Sequence, residues 1–196
     1  LPLGLMSLRR DHQVSVLELA MDSTGEIAEL AAIAEPEIGA VLNIGFTHVS
    51  KLGSIDAIAA EKLSLVRGLP RTGTALLNAD DPRIAPVAAE LGCSVITFGC
   101  AEEAALRRGQ VTDRGLDGTS FDVTFGETTE RVNSPLPGAH TVSAVLTAIG
   151  AAIAQVSGSV DGIYDVASQG REKVIERIKE QARREAVRAG AAEDSL

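Results

Sequence analysis

Four short apolar runs alternate with longer amphipathic stretches over the first hundred residues of the chain. The runs cover residues 14–21, 38–44, 73–79 and 93–99, and each is nearly continuous in apolar side chains. Such runs are typical of parallel strands that are buried on both faces of a sheet. The pattern therefore predicts four strands of one parallel sheet.

The stretches between these runs have helical character. Residues 25–34, 54–68 and 82–91 are predicted helices, the second with Ser54 as its N-cap and the third with Pro82 in its first turn. Alternation of strands and helices predicts an α/β fold in three layers, a mostly parallel sheet with helices on both faces.

The pattern changes in the second half of the chain. Residues 120–132 alternate around a Gly-Glu pair, which predicts a small antiparallel β-hairpin subdomain. Residues 139–156 predict a helix of small residues, and residues 171–189 a charged amphipathic helix whose apolar stripe holds Ile175, Ile178, Ala182 and Ala186. We expect a domain over residues 1–156, followed by a linker and the charged helix over 157–196.

Composition narrows the range of partners. The 196 residues carry a formal charge of −9, which argues against a nucleic acid or an anionic membrane as the main partner. No apolar run reaches the length of about 18–20 residues that a membrane-spanning helix needs. Cys93 and Cys100 predict two reduced thiols in a cytoplasmic protein, and two thiols are too few ligands for a metal site.

Polar residues gather where the predicted strands end. Glu18 lies in the first strand, Asn43 and His48 follow the second, and the third is followed by Asn78, Asp80 and Asp81. Open parallel sheets bind ligands beyond the carboxyl ends of their strands. The sequence therefore predicts a binding site at this edge, and a phosphate ligand held by Mg²⁺ is compatible with an acidic protein.

An ordered series of segments resembles the central ATPase domain of the Mur ligases, most closely the members that add D-alanyl-D-alanine. The segments are "VLELAMDSTGEIAEL", "NIGFTHVSKLGS", "LLNADDPR" and "LPGAHTVSAVLTAIGAA", and the likeness covers about residues 1–155. The resemblance implies an ATP-dependent amide ligase of peptidoglycan precursor synthesis that acts through an acyl phosphate. It also implies ATP and Mg²⁺ as cofactors, and a nucleotide and a UDP-muramoyl peptide as partners of the complete enzyme.

The resemblance assigns a metal-binding role to Glu18, His48 and Lys62, and a catalytic role to His48 and Lys62. Lys62 matches a lysine of the motif I-A-x-x-K, which several family members carbamylate, so that a cation becomes an anionic oxygen ligand for Mg²⁺. The alternatives are a solvent-facing carboxylate, a surface histidine, and a solvated lysine paired with Glu61 or another neighbour.

The resemblance assigns nucleotide binding to Asn78, Asp81 and His140. The alternative for the first two is an Asx turn that caps a helix before Pro82. Thr141 and Ala144 occupy positions where the family has asparagines, so adenine recognition on this side departs from the family pattern.

The phosphate-gripping loop of the family, of the form G-T-x-G-K-T/S, occurs nowhere in these 196 residues. We expect this loop upstream of residue 1, and the family's carboxy-terminal domain has no counterpart in residues 157–196. We therefore expect the chain to be inactive alone. The alternative is a degenerate, non-catalytic Mur ligase-like binding or scaffolding protein. Self-association of the chain is a separate expectation, and it fits both the ligase and the scaffolding protein. A relative of the folylpolyglutamate synthases fits the motifs less well.

Overall fold

A computed structural model describes residues 2–47, 49–156 and 171–188. The chain divides into two compact units, Leu1–Thr147 and Ala148–Leu196. The sheet and the candidate site both lie in the first unit.

Short helices and strands alternate along the first unit. The helices of this unit are α1 (Pro2–Met6), α2 (Glu26–Ala34), α3 (Val49–Leu52) and α4 (Ile55–Arg67), with 3-10 turns at Ala85–Ala89, Gly115–Asp117 and Ala139–Thr141. The division between the units falls within α5 (Val142–Val156), and α6 (Arg171–Arg188) lies in the second unit. The strands are β1 (Ile38–Val41), β2 (Thr74–Asn78), β3 (Ser94–Gly99), β4 (Leu106–Arg108), β5 (Thr112–Asp113), β6 (Thr119–Phe125) and β7 (Thr128–Ser134).

The strands form one seven-stranded mixed sheet in the order β1-β2-β3-β4-β6-β5, with β7 paired to β6. Strands β1 to β4 are parallel, and the pairs that involve β6 are antiparallel. The expected α/β fold is confirmed. The predicted hairpin is confirmed as well: Phe125 pairs with Thr128 around a two-residue turn in which Gly126 has φ 58°.

The core fixes the position of β2. Ala75 and Leu77 are fully buried in a cluster with Leu63 and Val66 of α4 and with Ile84, while Leu76, which points to the opposite face of the sheet, is 1% exposed. Because β2 is covered on both faces, the point where it leaves the sheet is well defined. That point is where Asn78 lies.

The predicted strand over residues 14–21 is wrong. This segment has no regular secondary structure, and the side chains of Val14 and Val16 are 60% and 94% exposed. The apolar run is present, but no strand among the described residues pairs with it. An extended segment needs a neighbouring strand to satisfy its N–H and C=O groups.

The predicted α-helix over residues 82–91 is a 3-10 turn of five residues, Ala85–Ala89. Asp81 accepts the N–H of Arg83, which holds the chain in a turn before the helix begins. Pro86 has no N–H to continue an α-helical ladder, and Gly92 follows soon afterwards. The local chemistry of the turn therefore overrides the apolar spacing.

The charged helix is confirmed as α6, within the second unit, and its Ile175 is 39% exposed. The predicted linker over 157–170 and the residues 189–196 lie outside the described residues. Among the helices that the structure describes, none is both long and apolar enough to cross a membrane.

Candidate functional site

Three side chains, one from α4 and two from the turn after β2, hold the backbone where it leaves β1. Lys62 Nζ donates to the carbonyl oxygen of Asn43 at 3.0 Å, and Asn78 Nδ2 donates to the carbonyl oxygen of Leu42 at 2.8 Å. Asp81 Oδ2 accepts the N–H of Ile44 at 2.8 Å. These contacts bring together Asn43, Lys62, Asn78 and Asp81 at the carboxyl edge of the sheet. We call these four residues the edge cluster.

Local sequence places each member of this cluster. Ser54 Oγ accepts the N–H of Ala57 at 3.1 Å, which confirms Ser54 as the N-cap of α4. Ile58, Leu63 and Val66 bury the other sides of α4 in the core. Lys62 is thereby left half-buried, facing the end of β1.

The turn after β2 presents Asn78 and Asp81. Asn78 Oδ1 accepts the N–H of Asp80 at 2.9 Å, and Asp81 Oδ1 accepts the N–H of Arg83 at 2.9 Å. The predicted Asx turn is therefore confirmed, whereas the predicted helix cap is not, because no side chain among the described residues caps the 3-10 turn Ala85–Ala89. Since the second polar atom of each side chain holds residue 42 or 44, the same two residues shape their own turn and fix the neighbouring strand end.

Lys62 lies in an unusual electrostatic setting for a lysine. Burial lowers its pKa below the ordinary value of 10.5, because an ammonium is less stable away from water, while the carboxylate of Asp81 acts in the opposite direction. Its hydrogen bond goes to a backbone carbonyl, and Glu61 binds other groups. The structure therefore does not support an ion pair between Lys62 and Glu61.

Asp80, one of the polar residues predicted at the strand ends, connects the turn after β2 to the backbone that follows β3. Its carboxylate accepts the N–H groups of Cys100 at 2.8 Å and Ala101 at 3.0 Å. A Cβ at Gly99, which has φ 153°, would lie 2.6 Å from Asp80 Oδ1. The available signal was the pattern "NADD" at a strand end, in which every polar residue has a backbone partner.

Glu61 is a structural carboxylate that the sequence did not reveal. It is 5% exposed, and it accepts the N–H groups of Gly25 and Ile27, both at 2.8 Å. Its position three residues after Ile58 was the signal, because that spacing places a carboxylate on the buried face of α4.

Glu18 is exposed in the irregular segment before α2. Its chain neighbour Leu19 packs with Met21 against an apolar cluster that includes Ile58 of α4 and Ile44. The segment that carries Glu18 therefore passes beside α4 and the end of β1. His48, the third predicted metal ligand, lies outside the described residues, whereas Val49 packs against the same cluster.

The metal site stays a prediction. Among residues 2–47, 49–156 and 171–188, no three histidine, cysteine, aspartate or glutamate side chains are grouped as a metal site would require. Lys62, which could bind a metal only after modification, is not one of these four residue types.

His140 lies in the 3-10 turn Ala139–Thr141 and is exposed. Its imidazole ring folds over Gly138, where a Cβ would come within 2.6 Å of the ring and φ is +86°. Thr141 Oγ1 donates to the carbonyl of Gly138 at 2.8 Å, and Ala144 is exposed without a polar group. No hydrogen bond of the described residues joins His140 to the edge cluster.

Comparison with known proteins gives a consistent result. Residues 1–152 match the Mur ligase middle domain. The UDP-N-acetylmuramoyl-tripeptide–D-alanyl-D-alanine ligase of Synechocystis sp. is 36% identical over 160 residues, which cover 80% of this chain and 32% of that protein. The chain thus spans about a third of the length of the curated relatives it matches.

Solved structures share the fold. A crystal structure of MurF from Acinetobacter baumannii superposes with a TM-score of 0.70 at 24% identity, over 92% of this chain and 37% of that one. MurF ligase from Thermotoga maritima, solved in complex with ADP, gives a TM-score of 0.61 at 20% identity, over 72% of this chain and 33% of that one. With most of its length matched by the family's middle domain, the chain belongs to the Mur ligase family.

Proposed function

We propose that this chain forms the nucleotide- and metal-binding edge of an ATP-dependent amide ligase of peptidoglycan precursor synthesis. The observation that carries the proposal is the edge cluster, in which Lys62, Asn78 and Asp81 converge at the carboxyl ends of β1 and β2. Ligands of open parallel sheets bind at this edge. The relatives named above support the ligase assignment, and the cytoplasm is the proposed compartment because Cys93 and Cys100 are both free thiols.

The proposed reaction has two steps. The γ-phosphoryl group of ATP is transferred to a substrate carboxylate, which gives ADP and an acyl phosphate. An amine then attacks the acyl carbon, loses a proton and displaces inorganic phosphate, so that an amide bond forms. By analogy with the name of the Synechocystis relative, the acid is a UDP-N-acetylmuramoyl tripeptide and the amine is D-alanyl-D-alanine.

The donor set at the edge suits Mg²⁺ on one condition. Mg²⁺ prefers oxygen ligands, and Glu18 offers an exposed carboxylate. As an ammonium Lys62 would repel the ion, whereas a carbamate on Lys62 would present two oxygens to it. The lowered pKa of Lys62 favours the neutral amine, which is the form that adds CO₂. When bound, Mg²⁺ would neutralise charge on the phosphoryl oxygens.

The remaining site residues have proposed roles as well. His48 would assist Glu18 and Lys62 at the metal and in catalysis. Asn78 and Asp81 would line the nucleotide pocket: each already fixes backbone with its described hydrogen bonds, and the Asn78 amide keeps a second N–H for a ligand. His140 would contact the nucleotide from the loop after β7. Self-association stays a prediction.

We propose that the chain alone does not turn over ATP, because no lysine follows a glycine-rich loop anywhere in its sequence. Calorimetric titration with Mg-ATP is expected to show weak or undetectable binding, and a phosphate-release assay no turnover. Measurable Mg²⁺-dependent hydrolysis by the purified chain would contradict this, as would tight binding, since it would mean that these residues grip the triphosphate unaided.

The second candidate is a non-catalytic binding or scaffolding protein. One observation favours it: on the His140 side, Thr141 uses its hydroxyl within its own turn and Ala144 has no polar group. This candidate predicts no nucleotide binding at any concentration. An upstream gene sequence that encodes a G-x-x-x-x-G-K loop in frame would decide for the ligase.

A further inference from the structure

We propose that Glu61 is a positioning residue that fixes the location of Lys62. It does so by holding α4 against the start of α2, which follows the segment of Glu18 in the chain. The inference rests on the proposed function, because Lys62 is its proposed metal ligand. Glu61 is buried, and each of its oxygens accepts one backbone N–H, those of Gly25 and Ile27. A buried carboxylate without such donors would be costly, so these contacts are strongly held.

The contacts lie at the start of α2. The first N–H groups of a helix lack partners within the helix, and the helix dipole favours a negative charge there. Glu26, the first residue of α2, binds only the turn before the helix: its carboxylate accepts the N–H groups of Asp22 and Ser23 and the Ser23 hydroxyl. Glu61 differs because it comes from another helix, and so it joins α2 to α4.

Glu61 and Lys62 fasten α4 from two sides. Consecutive side chains on an α-helix point about 100° apart. Glu61 binds the turn that follows the segment of Glu18, whereas Lys62 binds the carbonyl of Asn43 at the end of β1. A shift of α4 that released the first contact would also move Lys62 relative to the strand end.

Glu61→Gln tests this role at nearly constant volume. The amide keeps one acceptor oxygen, but its NH₂ group faces a backbone N–H, so one of the two contacts is lost. Glu26→Gln is the matched control, because it weakens contacts in the turn just before the same helix, and these contacts involve Asp22 and Ser23 rather than α4.

Two measurements on the full chain report the result. Amide hydrogen exchange at Gly25 and Ile27 shows whether the contacts are lost. Mass spectrometry after brief treatment with an amine-reactive reagent gives the modification rate of Lys62 relative to Lys173, which is exposed in α6. In E61Q we expect faster exchange at both amides and a rise of about tenfold in the relative Lys62 rate, the size expected for one lost hydrogen bond to a charged group. E26Q should leave the Lys62 rate unchanged.

An unchanged Lys62 rate in E61Q, together with faster exchange at Gly25 and Ile27, would overturn the proposal and reduce Glu61 to a helix cap. Equal rises in E61Q and E26Q would overturn it too, since they would indicate general loosening. If E61Q does not fold, the wild-type chain decides: by reciprocity, modification of Lys62 should speed exchange at Gly25 and Ile27, and no change there would refute the coupling. Neither measurement needs metal or nucleotide, so failure of the proposed function is seen separately, as an edge cluster whose NMR signals do not respond to Mn²⁺ and ADP.

Discussion

Replacement of Asp81 by alanine is expected to lower the free energy of unfolding by about 2–3 kcal/mol. Its two oxygens accept the N–H groups of Ile44 and Arg83, and the part-buried Ile44 N–H would lose a charged acceptor with no replacement. The free energy comes from urea denaturation, and hydrogen exchange at Ile44 should be faster in the same variant. A loss below about 0.5 kcal/mol would mean that Asp81 does not hold the strand end.

Asp56→Ala is the matched control for this variant. Asp56 pairs with Arg83 at 3.4 Å, but its side chain is 87% exposed, so its loss should cost less than about 1 kcal/mol.

Asp81→Asn separates charge from hydrogen bonding. It removes the carboxylate that raises the pKa of Lys62, so that pKa should fall further and the pH midpoint of Lys62 modification should move to lower pH.

Replacement of Gly118 by alanine should have the largest effect on stability. We expect it to lower the free energy of unfolding by about 3 kcal/mol or more. Gly118 has φ 94° and ψ −155°, a region that side chains other than glycine rarely enter. Its new Cβ would also overlap the carbonyl oxygen of Ser134 and lie 2.8 Å from Pro135 Cα. Both contacts are with backbone, so relief requires β6 and β7 to separate where Thr119 pairs with Ser134.

Gly126→Ala provides the comparison for Gly118. Gly126 also has a positive φ, of 58°, but no atom lies within 4 Å of the position that its Cβ would take. Only the cost of the left-handed conformation remains, about 1–2 kcal/mol. Equal denaturation midpoints for the two variants would show that the overlap at Gly118 is relieved without cost.

The sequence predicted the parts of the fold that depend on neighbours in the chain. Ser54 caps α4 because its hydroxyl reaches an N–H three residues away, and Gly126 closes the hairpin because it tolerates a positive φ. Both features follow from local chemistry. For the edge cluster, the sequence predicted the location but not the individual contacts, since the strand ends of a parallel sheet meet at one edge.

The predictions that were wrong or incomplete concern contacts between residues far apart in the sequence. Residues 14–21 have the composition of a strand, but a strand exists only where another one pairs with it. Glu61 entered only as a surface partner of Lys62, in the alternative to metal binding, because nothing within the helix sequence shows that Gly25 and Ile27 lie against it. The contacts of Asp80 with Cys100 and Ala101 likewise join the turns after two different strands.

The central claim is that the edge cluster faces a metal-bound nucleotide. Its most direct test is an NMR titration of the ¹⁵N-labelled chain with Mn²⁺ and ADP in bicarbonate buffer, because paramagnetic broadening detects even weak binding. We predict that the signals of Ile44, Lys62 and Asn78 broaden first, only when ADP is present, while the hairpin turn at Gly126 is unaffected. Two results would contradict the claim. The first is broadening that is the same with and without ADP and is found near exposed surface carboxylates, and the second is that the signals of the edge cluster stay sharp.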